Sequence, residues 1–289
     1  MIGVVLALVS ASVYGLSAVL IKRRLDVSNF FSVSLVVAVT GNIILWPLAL
    51  LFTNLETVSF EGVLFFAMAG IPTGIFRLFY FKGMEAVGAS VNASIFATYP
   101  IYSTIFAVLL LGEAFVLEKW IGIICIVVGV ACIERSLSKP RIGAKGVSRK
   151  GLIFSLLASL TVSFAYITRK HGLGIYNEPL LGAAIGYSLS FFLYVLLLIP
   201  SHTTRDSRFS SKDFELFWKA GTCLSLAMAL SFYALSHERV SIVTPLLQTE
   251  PLFVLFFAHL YLKELEHMSF KLAISTFLIV IGAMLVSIH

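Results

Sequence analysis

The chain has 289 residues, of which 59% are hydrophobic and only 12% are charged, and its mean hydropathy is +0.98. A soluble domain has about a quarter charged residues, and one core could not shelter this much apolar surface from water, so the composition predicts an integral membrane protein. The net charge of +6 does not indicate nucleic-acid binding, because the basic residues lie mostly between apolar runs, where they set membrane topology.

Ten apolar runs follow one another along the chain, each close to the roughly 20 residues that a helix needs to cross a bilayer. The connections between them are mostly short, which leaves no room for a soluble catalytic domain. The pattern predicts an all-α integral membrane protein with ten transmembrane helices. The predicted spans are 2–21, 31–52, 61–82, 91–111, 118–134, 151–169, 180–199, 214–235, 241–262 and 269–288.

The two halves of the sequence resemble each other. The first span, "GVVLALVSASVYGLSAVLIK" from Gly3, aligns with "GLIFSLLASLTVSFAYITRK" from Gly151. Further along, Pro100 in span 4 corresponds to Pro251 in span 9. These matches indicate an internal duplication.

The duplication divides the chain into a first five-helix repeat at 1–135, a basic linker at 136–150 and a second five-helix repeat at 151–289. Because five is an odd number, the second repeat enters the membrane in the opposite direction to the first. Many secondary transporters have such inverted repeats, with the substrate site near the middle of the membrane between them.

The basic residues predict an orientation. Sixteen of the 21 Lys and Arg residues belong to the connections after spans 1, 3, 5, 7 and 9, and Arg77 lies inside span 3. The positive-inside rule places both termini outside the cytoplasm, in a protein expected in the plasma (inner) membrane. The basic residues assigned to the opposite side are Lys119, Arg169, Lys170 and Arg239.

Three segments resemble a known family: "YGLSAVLIK" closing span 1, "NASIFATYPIYSTIFAVLLLGE" for span 4 and "TPLLQTEPLFVLFFAHLYLKE" for span 9. With the ten spans in two units of five, the whole chain resembles the drug/metabolite transporter superfamily of the EamA type. The resemblance implies a carrier of small metabolites whose spans 1, 3, 4, 6, 8 and 9 face a central cavity. It also implies peripheral spans 5 and 10, which can mediate a homodimer. Members carry amino acids, drugs, sugars, nucleotide sugars or phosphorylated metabolites, so the class is implied and the substrate is not.

Glu250 is the first candidate for a functional side chain, because it lies near the middle of span 9. A charged carboxylate there costs on the order of 3 kcal/mol, and such residues usually face a cavity or a partner. Burial favours the protonated carboxyl group, so Glu250 is expected to bind a proton or a substrate amine. The alternative is a structural carboxyl group that hydrogen-bonds between helices.

Pro100 and Pro251 predict matched kinks in spans 4 and 9. Each proline lacks an N–H donor and clashes with the carbonyl group four residues earlier. The kinks are interpreted either as hinges or as static bends. Glu113 and Glu264, at the matched ends of these spans, are expected to cap or orient the helix that follows each.

The remaining candidates are polar side chains on cavity-facing spans. Arg77 fits either an anion clamp or a side chain that reaches back to the membrane interface. Tyrosines suit a pocket because they combine an apolar ring with a polar tip, whereas stripes of serine more often indicate close helix packing. The predicted substrate-binding residues are Tyr14, Arg77, Tyr80, Asn92, Tyr99, Tyr166, Gln248 and Glu250.

No H-E-x-x-H, G-x-S-x-G, Walker or C-x-x-C pattern occurs, so the sequence supports no metal site, cofactor or catalytic residue and predicts no enzyme. The predicted function is a secondary transporter that moves small polar or amphipathic metabolites, amino-acid-like compounds first, by alternating access, with proton-coupled export suggested by Glu250. One alternative is an uncoupled exchanger of the sugar or nucleotide-sugar type. A membrane enzyme acting on lipids and a non-transporting receptor or assembly subunit are the others.

Overall fold

The computed structural model describes residues 1–22, 30–53, 58–114, 116–136, 148–198, 211–262 and 270–287. Within these ranges the chain is helical, with short turns and no β-strand. Most of the predicted linker at 136–150 and the second predicted cap, Glu264, lie outside the described residues. The helices are α1 (Ile2–Lys22), α2 (Phe30–Phe52), α3 (Phe60–Val87), α4 (Ala89–Phe96), α5 (Tyr99–Leu111), α6 (Leu117–Ser136), α7 (Arg149–Ile175), α8 (Pro179–Leu198), α9 (Ser211–His237), α10 (Val240–Leu247), α11 (Glu250–Leu262) and α12 (Phe270–Ser287).

Eight segments of the described chain are long and apolar enough to cross a membrane. They coincide with predicted spans 1 to 4 and 6 to 9. Span 5 is the 20-residue helix α6, and span 10 is the 18-residue helix α12. Spans 4 and 9 each consist of two consecutive helices, α4 with α5 and α10 with α11. The prediction of an all-helical, multi-pass membrane protein is confirmed.

Several helices extend beyond their predicted spans, and one of these extensions changes the position of a charged residue. Span 6 is predicted at 151–169, but α7 has 27 residues, Arg149–Ile175. Arg169, the last residue of the predicted span and one of the basic residues assigned to the side opposite the basic-rich connections, therefore lies within α7 and is only 2% exposed. The predicted end of this span is wrong because about 20 residues is a usual length for crossing a bilayer, and a tilted helix can be longer.

The two halves of the chain repeat the same helices. Helices α4 and α10 have eight residues each, and α5 and α11 have thirteen each. The packing also maps onto itself when the halves are exchanged: α3 packs on α7 as α9 packs on α1, and α5 packs on α7 as α11 packs on α1. This is the symmetry of a pseudo-two-fold axis between two inverted repeats.

Helices α6 and α12 pack on each other through glycines. A Cβ atom on Gly122 would lie 2.7 Å from the carbonyl oxygen of Gly282, and one on Gly282 would lie 2.5 Å from that of Gly122. Only glycine allows two backbones to approach so closely. The pair leaves apolar side chains such as Ile121 and Phe277 exposed. The homodimer predicted through these spans stays a prediction.

Candidate functional site

Both broken spans are interrupted directly before a proline. Helix α4 ends at Phe96, four residues before Pro100, and α10 ends at Leu247, four residues before Pro251. In a continuous helix the carbonyl group of each terminal residue would accept from the N–H group that the proline lacks. At the predicted kinks the helix is interrupted by two-residue turns at 97–98 and 248–249, in which Ala97, Thr98 and Gln248 keep right-handed helical backbone angles. Whether they act as hinges stays a prediction.

A threonine closes each break in the same way. In span 4, the Thr98 hydroxyl donates to the carbonyl oxygen of Ile95 at 2.6 Å. In span 9, the Thr249 hydroxyl donates to the carbonyl oxygen of Leu246 at 2.7 Å. Each of these carbonyl oxygens, at the C-terminus of the first half-helix, also accepts from the backbone N–H group of the same threonine.

Serines of α7 lie against the interruption in span 4. The Ser159 hydroxyl is 3.2 Å from the carbonyl oxygen of Ile95 and 3.1 Å from that of Ser155, and the Ser163 hydroxyl is 2.9 Å from that of Tyr99 and 2.7 Å from that of Ser159. Each hydroxyl group has one proton, so it donates either across to span 4 or back along α7. The serine stripe predicted to give close packing therefore packs α7 of the second repeat against the interruption of the first.

A cavity of about 270 Å³ lies at the two breaks and is lined by both repeats. Pockets for drug-sized ligands occupy about 300–1,000 Å³, so this volume suits a small metabolite. The lining residues are Tyr14, Ile21, Val33, Ser34, Val37, Phe76, Arg77, Tyr80, Phe81, Phe96, Tyr99, Val162, Tyr166, Arg169, Leu224, Met228, Leu247, Gln248 and Glu250.

One wall of the cavity is a continuous set of aromatic rings, called here the aromatic wall: Phe76, Tyr80, Phe96, Tyr99 and Tyr166. The ring centroid of Phe96 lies 5.9 Å from that of Phe76 and 5.0 Å from that of Tyr80. It also lies 5.3 Å from the ring of Tyr99, which stacks on Tyr166 at 5.9 Å. The wall offers an apolar surface with phenolic hydroxyl groups at its edges.

Two basic side chains and one acidic side chain also line the cavity. Arg77 comes from α3, Arg169 from α7 and Glu250 from the first turn of α11. Arg77 also borders a small pocket beside Tyr187 and Tyr194. Of the two readings of Arg77, its position in the cavity favours the anion clamp over a side chain directed to the interface. Ionisable groups within membrane spans are rare and usually face a functional cavity. The convergence of three such groups therefore makes the cavity at the two breaks the candidate substrate site.

The cavity lining reaches residues toward both ends of the helices. It includes Ile21 at the end of α1 and Phe81 near the end of α3, and also Arg169, which lies toward the opposite end of the bundle in α7. Ile21 and Phe81 lie toward the connections after spans 1 and 3, the face on which the sequence places most of the basic residues. The opposite face is called the far side below.

On the far side, the two repeats are joined by Glu113. Its carboxylate accepts from the backbone N–H groups of Val240 at 2.7 Å and Ser241 at 3.1 Å, and from the Ser241 hydroxyl at 2.5 Å. Glu113 therefore caps α10 in the second repeat, so the expectation that it caps the helix following it is wrong. The reason is that the fold brings the start of α10, with its unsatisfied N–H groups, to the end of span 4. Whether Glu113 orients the helix that follows it stays a prediction.

Comparison with known proteins identifies the family. The model of the EamA-like transporter family matches residues 1–135 and 149–288. The chain belongs to this family. An uncharacterized transporter of Archaeoglobus fulgidus is 26% identical over 210 residues, which cover 72% of this chain and 69% of the relative. A protein solved by crystallography has the same fold, with a TM-score of 0.77 and 13% identity, over 99% of this chain and 98% of the other.

Membership of the EamA-like transporter family confirms the resemblance noted in the sequence and points to a transporter rather than an enzyme. Seven of the eight predicted substrate-binding residues line the cavity. Asn92 does not: it is fully buried, donates to the carbonyl oxygen of Tyr80 at 3.0 Å and accepts from the Ser155 hydroxyl at 2.6 Å. Asn92 thus ties α4 to α3 and α7. The part that the other seven play in binding substrate stays a prediction.

The sequence does not identify Arg169 as a site residue in this EamA-type chain, although the signal was present. Ser159, Ser163 and Tyr166 follow each other on α7 at intervals of three or four residues, and Arg169 continues that series. The adjacent Lys170 makes the pair look like the start of a loop. Lys170 instead donates to the carbonyl oxygens of Leu235 and Glu238 at the end of α9.

Replacing either Pro100 or Pro251 with alanine is expected to slow turnover more than it weakens substrate binding. Alanine restores the missing N–H donor and favours a helix by about 3 kcal/mol over proline, so the two half-helices would tend to join. Counterflow rates and thermal-shift titrations compare the two effects. Pro72→Ala is the matched control, since Pro72 lies inside the continuous helix α3. Normal turnover in both break variants would contradict the hinge.

Proposed function

We propose that the protein is a secondary transporter that moves small amphipathic metabolites, amino-acid-like compounds first, by alternating access. The observation that carries the proposal is the cavity at the two helix breaks, where an aromatic wall lies beside two arginines and a glutamate. Rings suit the apolar part of such a substrate, and charged groups of both signs suit a carboxylate and an ammonium group. Glu250 is the proposed site of proton coupling.

Alternating access is supported by the symmetry of the breaks. In transporters built from inverted repeats, broken helices surround a site near the middle of the membrane, and one repeat rocks against the other. Here Phe96 and Tyr99 of one break, and Leu247 and Glu250 of the other, line one cavity. A change of angle at either break would alter the shape of the cavity.

The proposed orientation of the protein is the one predicted from the sequence: it lies in the plasma membrane with both termini on the non-cytoplasmic side. The burial of Arg169 within α7 supports this orientation. It removes one basic residue from the far side, which keeps Lys119, Lys170 and Arg239, and so increases the excess of Lys and Arg on the other side.

The function is tested in two steps. A thermal-shift screen of the purified protein against amino acids, nucleosides and sugars selects ligands, and liposome counterflow then tests each one for saturable transport. Amino-acid-like ligands that exchange saturably, with a rate that responds to a pH gradient, are the expected result. Saturable exchange of sugars or nucleotide sugars that ignores the gradient would favour the uncoupled exchanger. Lipid conversion without counterflow would favour a membrane enzyme.

A further inference from the structure

Arg169 is the most deeply buried charged side chain on the cavity wall. It is 2% exposed, and one terminal nitrogen donates to the Thr73 hydroxyl at 2.7 Å. Its guanidinium carbon lies 4.8 Å from the ring centroid of Tyr166 and 5.3 Å from that of Phe232. These contacts hold the guanidinium group in one place beside the aromatic wall.

None of these contacts neutralises the charge of Arg169. A guanidinium group has five N–H donors, and hydroxyl groups and aromatic rings carry no net negative charge. Among the residues that the structure describes, no carboxylate lies within ion-pair distance of Arg169. Removing one partner from a buried ion pair is costly, and a buried cation that faces a cavity is therefore suited to an anion that arrives from outside.

The other cavity groups define the kind of anion. Arg77 and Arg169 attract an anion, and Glu250 on the same lining repels it when ionised. A phosphate monoester carries about −1.5 to −2 at pH 7, so an ionised Glu250 repels it more than a carboxylate with a single negative charge. The planar guanidinium group matches the two oxygens of a carboxylate, and the aromatic wall suits an apolar body attached to it.

We propose that the substrate is an amphipathic monocarboxylate whose carboxylate group binds Arg169 while its apolar body lies against the aromatic wall. The inference rests on the proposed transport function and adds the group by which the substrate is recognised. Arg169 is then a specificity-determining residue. Molecules of the same shape without a carboxylate are excluded because they leave the arginine buried and unpaired.

The test uses four probes that share a phenyl body: L-phenylalanine, 3-phenylpropionate, phenethylamine and phenyl phosphate. Affinity is measured by thermal shift on the purified full-length protein, and transport by counterflow in liposomes. The wild-type protein is expected to bind the two carboxylates and to bind phenethylamine at least tenfold more weakly. Stronger binding of phenethylamine or phenyl phosphate than of 3-phenylpropionate, or no binding of any probe, would overturn the proposal without any variant.

Two variants test the residue itself. Arg169→Gln should lower the affinity for both carboxylates by about 10-fold to 100-fold, the range expected for charge-assisted hydrogen bonds. Arg169→Lys, which keeps the charge without the planar group, should restore part of it. Arg149→Gln is the matched control, because Arg149 is exposed at the start of the same helix. Unchanged carboxylate affinity in a folded Arg169→Gln protein would also overturn the proposal.

The outcomes separate this inference from the function on which it rests. Counterflow of a neutral or cationic compound that persists in Arg169→Gln would leave transport standing and remove the carboxylate site. Carboxylate binding that depends on Arg169, without counterflow of any bound ligand, would support the site and contradict the transport function.

Discussion

Replacement of Glu250 by glutamine is expected to abolish transport or to leave a low rate that no longer responds to pH. Glutamine has nearly the shape of a protonated glutamate but cannot release a proton or attract an ammonium group. Loss of one charge-assisted interaction corresponds to a fall of roughly 10-fold to 100-fold in affinity. Wild-type flux should fall as pH is lowered, because protonation removes the negative charge. The variant should stay at the low-pH rate throughout.

The measurement is counterflow of an identified ligand across a series of pH values, with the melting temperature of each protein as a check on folding. Glu85→Gln is the matched control: it makes the same chemical change at an exposed position near the end of α3. If Glu250→Gln transports at wild-type rates at every pH, Glu250 is a structural carboxyl group and proton coupling has another origin.

A large effect is expected at Glu250 because this residue has no acidic counterpart in the first repeat. At the start of α5 the first repeat has Tyr99, and at the corresponding start of α11 the second repeat has Glu250. The span 1 alignment likewise pairs Ile21 with Arg169, and both residues line the cavity. The duplication therefore supplies the frame of the site, and uncharged-to-charged differences between the repeats give the cavity its chemistry.

Kinks at Pro100 and Pro251 were predictable, because a proline withholds one particular N–H group from one particular carbonyl group. A proline alone does not decide that a helix is interrupted, since Pro47 and Pro72 lie inside the continuous helices α2 and α3. The duplication then shows that the two breaks are related. The threonine bonds at Thr98 and Thr249 follow the same local logic, since threonine hydroxyl groups readily bond to nearby backbone.

The position of Arg169 was not predictable from a count of apolar residues. A charge near the end of an apolar run can lie in water, reach back to the interface or point into a cavity, and the choice depends on which helices pack around it. For Arg169, Thr73 of α3 and Phe232 of α9 decide it. The role of Glu113 was not predictable for the same reason, because the helix that it caps begins 127 residues further along the chain.

Replacing Glu113 with alanine is expected to open the far side and lower the melting temperature. The change removes three hydrogen bonds to Val240 and Ser241, and it removes negative charge near Lys119, whose amino group is buried without a hydrogen-bond partner among the described residues. Hydrogen bonds to charged groups contribute about 1.5–3 kcal/mol each. Even a net loss of about 2 kcal/mol would shift a closed-to-open equilibrium roughly 30-fold.

The opening is measured as a distance between spin labels in a background that lacks Cys125, Cys132 and Cys223. Labels at Leu117→Cys and His237→Cys, both exposed at helix ends on the far side, report the separation of α6 from the end of α9. Glu113→Ala should add a population at longer distance, whereas Glu61→Ala, an exposed change at the start of α3 on the same side, should not. An unchanged distance distribution together with an unchanged melting temperature would mean that Glu113 does not hold the far side closed. The closure would then depend on apolar packing of α10 against α5.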